Sequence, residues 1–84
     1  DRTEEAKIFY QLAIDELNQQ PNYARFIGDT FDSYGLLEWA VKAYERGMEL
    51  NPNADFFLQL SRIYGELQNF EKMFDAYLIL NLYI

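Results

Sequence analysis

The sequence predicts an all-α fold of about five helices arranged as stacked hairpins. Three observations predict it. First, side-chain types recur at a fixed distance. Ala6, Tyr10, Ala13 and Ile14 return 34 residues later as Ala40, Tyr44, Gly47 and Met48, and Ile27, Gly28, Phe31 and Leu37 return 33 later as Leu60, Ser61, Tyr64 and Phe70. A period of that length marks helical hairpins that bury their faces by stacking on one another. Second, apolar residues within each segment follow the i, i+3, i+4, i+7 spacing of a helix face. Third, groups of Asn, Gln, Gly and Pro separate the segments, and no run alternates as a strand would.

A first helix is expected from Thr3 to Leu17. Thr3 is a capping residue type, and Glu4 and Glu5 fall in the first turn, where the helix dipole favours acids. Ala6, Phe9, Tyr10, Ala13 and Leu17 form its expected inner face. Asn18-Gln19-Gln20-Pro21-Asn22 ends it. A second helix is expected from Pro21 or Asn22 to Tyr34, since Pro suits the first turn. Ile27, Phe31 and Tyr34 line one side. Gly28 costs about 1 kcal/mol against Ala in mid-helix, so a neighbouring helix is expected close by. Gly35 closes the helix in a left-handed conformation.

The third helix is expected from Leu36 to Leu50, with Leu37, Ala40, Val41, Tyr44 and Met48 inward. Asn51-Pro52-Asn53 reads as a turn, with Asn53 as cap of a fourth helix from Ala54 to Leu67. Gln68-Asn69 breaks that helix, and a fifth begins near Phe70. Short connections imply antiparallel neighbours. The end of the chain, Tyr77 to Ile84, has seven apolar residues of eight and keeps no amphipathic face.

With 84 residues the chain is one domain at most. Half the residues are apolar and 18% aromatic, enough for a core. Seven basic against 14 acidic residues leave a net charge of −7. That charge disfavours duplex nucleic acid, whose binding needs Lys and Arg on phosphates, and disfavours anionic membrane surfaces. It suits basic or neutral partners and equally serves solubility alone. No cysteine is present, so no disulfide or thiolate metal site forms, and the compartment stays open between cytoplasm, periplasm and outside. No apolar run approaches the ~20 residues of a membrane helix.

With no His, Ser33 and Ser61 lack an imidazole base and a Ser-His-Asp arrangement cannot form within the chain. Gly28, Gly35, Gly47 and Gly65 are too dispersed for a phosphate loop. Asp29 and Asp32, three apart on one helix, read either as a cation or proton-sharing pair or as a solvated face. No catalytic residue, cofactor or metal is expected.

The central segment resembles the tetratricopeptide repeat. Ile27-Gly28, Phe31, Gly35, Ala40, Tyr44, Gly47 and Pro52 stand at the spacing of that family's signature. The resemblance implies a right-handed α-α superhelix. Its domain reading is one unit, 1–84, in three parts: 3–20, the second helix of a truncated repeat; 21–53, a complete repeat; 54–84, a divergent repeat. In the last part Met73 and Leu80 stand where the family prefers small residues, so the final helix is expected to shift or splay. Because the chain opens on Asp1, half-way through a repeat, it is expected to be a piece of a longer array or to cap itself by self-association. A second resemblance, to the half-a-tetratricopeptide repeat of RNA-processing complexes, rests on Tyr44-Glu45-Arg46 and Phe56-Phe57. It is poorer around Ile27-Gly28 and Gly35.

The family resemblance implies a non-catalytic protein-interaction or assembly scaffold, with a concave groove holding a partner peptide or helix. On this chain the groove would carry Asn22, Arg25, Asp29, Asp32 and Ser33 from the second helix. Asp55, Leu58, Gln59, Arg62 and Glu66 would join from the fourth. Arg25 and Arg62 are either anchors for a partner's carboxylate or partners of nearby acids, as Arg25 with Asp29 at i+4. The basic set with which one subclass clamps chaperone tails is missing, since Phe26, Asp29 and Asp55 fall near those places. Trp39, at the start of the third helix, is expected to be partly exposed. Two alternatives remain: self-association through Tyr77–Ile84, and an accessory segment of a larger enzyme.

Overall fold

The computed structural model describes residues 2–67 and 70–83, and within the last helix the side chains of Lys72, Asp75, Ala76, Leu78, Ile79, Leu80 and Leu82. The described residues are all-helical, with no strand. The order is α1 (Arg2–Glu16), a 3-10 turn (Pro21–Tyr23), α2 (Ala24–Ser33), α3 (Leu37–Leu50), α4 (Phe57–Glu66) and α5 (Phe70–Tyr83).

Helix α1 starts at Arg2, so Thr3 lies inside the first turn rather than before it. Its buried side differs from the expected one. Ile14 is buried, as is Leu17 just beyond the helix; Tyr10 and Ala13 are half-buried, and Phe9 is exposed. Consecutive helical residues point about 100° apart, and only the row through Tyr10 and Ile14 meets neighbours. Tyr10 packs edge-on against Phe31 (5.5 Å between centroids) and Trp39 (5.4 Å).

Pro21–Tyr23 is a tight 3-10 turn, and α2 starts only at Ala24. Gly35 ends α2 with φ +75°. The Gly35 N–H donates to the Asp32 carbonyl and the Leu36 N–H to the Phe31 carbonyl, both at 2.9 Å. These two bonds make a Schellman cap. The cap turns the chain before Tyr34 can join the inner row, so Tyr34 is exposed rather than aligned with Ile27 and Phe31.

The fourth helix begins at Phe57, not at Ala54. Asn51 and Asp55 explain the delay. The Asn51 side-chain oxygen accepts the Asn53 N–H at 3.0 Å, and the Asp55 carboxylate accepts the Phe57 N–H at 3.1 Å. Two such turns hold residues 51–57 out of the helix, and Asn53 is not its cap. The expected break at Gln68-Asn69 and the side chains of Phe70, Met73 and Tyr77 lie outside the described residues.

Contacts at two heights fix how the helices run. Helices α2 and α3 meet at Gly28–Tyr44 and at Phe31–Trp39, so they are antiparallel. Helix α4 meets α5 where Lys72 lies over the Tyr64 ring, after the short turn that reverses the chain. Helices α1 and α3 run the same way: Tyr10 touches Trp39, and past the end of α1 Asn18 accepts the Arg46 Nε–H at 3.1 Å. The chain entering α4 touches the start of α2 at Phe56–Arg25, and the helices meet again at Arg62–Asp32, so α2 and α4 are also parallel. The shortest dimension is 17 Å, which two layers of helices fill.

Small residues set the closest approaches. A Cβ on Gly28 would stand 2.6 Å from Cδ1 of Tyr44, and one on Gly47 would collide with the Ala24 methyl. Tyr44, Leu17, Ile63, Ala40 and Ala43 are wholly buried around these crossings. Ser61 is also buried, and its hydroxyl donates to the Leu58 carbonyl at 2.9 Å. No orphan polar side chain is therefore left in this core among the described residues.

Candidate functional site

The parallel alignment of α2 and α4 determines where the expected groove residues fall. Asn22 lies exposed in the 3-10 turn, and Arg25, Asp29 and Ser33 are exposed along α2, with Asp32 half-buried beside them. On α4, Leu58, Arg62 and Glu66 are exposed at i, i+4 and i+8, and Gln59 is half-buried; Asp55 lies exposed just before the helix. The structure joins the two rows directly only at Asp32 and Arg62.

Neither arginine is a bare anchor. The Arg62 guanidinium bridges Asp32 on α2 and Glu66, one turn on in its own helix, at 2.8 Å for the latter. Partial burial works against its charge, but the hydrogen bonds to Asp32 and Glu66 outweigh that and raise its pKa. Arg25 does not take Asp29 at i+4. Its guanidinium lies over the Phe56 ring, 5.0 Å from the centroid.

Asp29 and Asp32 do not act as a pair. Asp29 accepts the Tyr44 hydroxyl from α3, and Asp32 accepts from Arg62. Burial, reinforced by the Asp29 hydrogen bond and charge, pushes the Tyr44 phenol well above the usual tyrosine range. Tyr64 is raised in the same way, by burial and then by Glu45, whose carboxylate accepts its hydroxyl at 3.1 Å. Among the described residues no group of three potential ligands gathers around one point for a metal ion. No described helix is long and apolar enough to cross a membrane.

Two surfaces escaped the sequence reading. Phe26 and Leu58 stand exposed on the α2–α4 side and give it an apolar element. Their spacing matched the core rows, so only the neighbours' positions reveal them as free. The second is an open cleft of about 920 Å³ between the α3–α4 connection and α5, lined by Met48, Pro52, Asn53, Ala54, Asp55, Phe57, Ile79 and Leu82. Trp39 is half-buried between Tyr10 and Phe31, with the Lys42 ammonium 4.2 Å from its ring centre.

Comparison of the chain with protein-family models, with curated proteins and with solved structures finds no match.

Proposed function

We propose that the chain is a non-catalytic protein-interaction or assembly module of the tetratricopeptide type, a right-handed α-α superhelix. Its α2–α4 face receives a peptide or helix of a partner protein. The observation that carries this reading is the pairing of directions. Hairpin partners run antiparallel, while α1 with α3 and α2 with α4 run parallel at a register of about one 34-residue period. That is what a repeating hairpin requires, because each repeat must present the same face to the next. Gly28 and Gly47 support it, being small where the helices cross.

On this face Asn22, Arg25, Asp29, Asp32, Leu58, Gln59 and Arg62 form the contact surface, with Phe26 and Leu58 as apolar centres. Arg25 and Arg62 hold the two helices together first and meet a partner second. Affinity capture from the source cell, comparing the chain with a Leu58→Asp/Arg25→Glu variant, tests the reading. Both side chains are exposed, so the fold is expected to persist. A partner identified by mass spectrometry and lost in the variant supports the α2–α4 face; one held equally by both rejects it.

A second reading is self-association through the tail. Leu78 and Leu82 on α5 are exposed, and Leu82 borders the open cleft. Tyr77, Asn81, Tyr83 and Ile84 lie outside the described side chains. Sedimentation of Leu78→Lys/Leu82→Lys against the parent chain separates the readings, since only a tail-mediated oligomer falls to one copy.

A further inference from the structure

Helix α1 carries an apolar stripe that nothing in the described structure covers. Ile8 is 62% exposed, Phe9 69% and Leu12 57%. They sit at i, i+1 and i+4, which places them on one side of the helix. Glu5 lies one turn before them and Glu16 one turn after, both exposed on that side and neither in an ion pair among the described residues. An apolar centre with an acid at each end is therefore laid along a single helix.

The 34-residue equivalence shows how unusual the stripe is. Ile8 and Leu12 correspond to Lys42 and Arg46 on α3. Lys42 is exposed there, and Arg46 reaches outward to Asn18 and Glu49. Two of the three stripe residues thus occupy positions that the packing of hairpins leaves to polar side chains. A further hairpin packed as α2 packs on α3 would cover Phe9, the counterpart of buried Ala43, and leave Ile8 and Leu12 in water.

We propose that this stripe is a second docking surface, distinct from the α2–α4 face, and that its occupant is a basic amphipathic helix of a partner protein. Charge selects that occupant. A second copy of the chain, centred on the same three residues, would set Glu5 and Glu16 against the acids of its own α1 in either direction. A helix with two or three large apolar residues on one face and a Lys or Arg one turn beyond each end meets the apolar centre and both carboxylates together.

The test titrates two synthetic helical peptides into the full chain by calorimetry. Both carry the same leucine face; one has Lys and the other Glu one turn beyond each end. The lysine peptide is expected to bind roughly three- to ten-fold more tightly, the effect of two rim charge pairs. Glu5→Lys/Glu16→Lys is expected to reverse the order, and Phe9→Ser/Leu12→Ser to abolish binding of both peptides. Leu58→Asp on α4 is expected to change neither. All these side chains are exposed, and unchanged far-ultraviolet circular dichroism checks that each variant is folded.

The proposal is overturned if neither peptide binds, if charge reversal leaves the preference unchanged, or if the lysine peptide survives Phe9→Ser/Leu12→Ser. A sedimentation mass of two copies that this last variant returns to one would assign the stripe to self-association and overturn it equally.

Discussion

Three glycines in this chain act through different physics, and substitution separates them. Gly28 lacks a Cβ because the Tyr44 ring occupies that space, so Gly28→Ala is expected to destabilise by about 1–3 kcal/mol despite its better helix propensity. Gly47 faces the Ala24 methyl, which is attached to the α2 backbone and cannot swing aside. Gly47→Ala should therefore cost at least as much. Gly35 has open space around it and is needed only for its φ of +75°, so Gly35→Ala should cost about 1 kcal/mol, a purely backbone effect. Denaturant unfolding of the three variants checks the ranking. Tyr44 and Tyr64 add a pH prediction. Both phenols ionise at higher pH in the folded chain than when unfolded. The folded state therefore holds more protons above the ordinary tyrosine pKa of about 10. Stability is expected to be fully present below that pH and to fall as pH rises beyond it. Thermal melts from pH 8 to 11 check this, and Tyr44→Phe should flatten the fall.

At the scale of elements, α2 and α4 are held side by side by two contacts that are individually weak. The Arg62 bridge is half-exposed, and a cation-π contact such as Arg25 over Phe56 contributes about 0.5–1 kcal/mol at an exposed site. Arg62→Ala is expected to cost about 1 kcal/mol or less, measured by denaturant unfolding, because its acids remain hydrated when it is removed. Burial on the opposite side of these helices carries far more. Leu17 is wholly buried between α1 and its neighbours, and Leu17→Ala is expected to cost about 2–5 kcal/mol. The contrast explains why α1 stays attached although its outer stripe faces water: a few side chains at its end anchor it.

The whole molecule is thin and acidic, with a net charge of −7 spread over two layers of helices. Self-repulsion among 14 acids outweighs the few ion pairs. Raising sodium chloride from about 20 to about 200 mM is therefore expected to raise the melting temperature by a few degrees, since screening weakens repulsion over the Debye length. A fall would mean that the Arg62 and Arg46 bridges dominate. The same excess of acid underlies the choice of a basic partner helix on α1, so binding there should weaken over the same salt range.

Much of this architecture was legible before any tertiary contact was known. Helices, their breaks and the small residues at 28, 40 and 47 depend on interactions within about four positions, and those are written in consecutive letters. The left-handed Gly35 belongs to the same class. What folding alone decided involves residues about 30 positions apart. Arg62 would be assigned to Glu66 by helical spacing, yet it also takes Asp32; Arg25 would be assigned to Asp29, yet it lies on Phe56 while Asp29 takes Tyr44. Phe9 and Tyr34 fit the inner rows by period and are nevertheless exposed. A helix has several faces that satisfy the same spacing rule. Which of them is buried depends on where the parallel neighbour lies, and that position is set by the packing of whole helices.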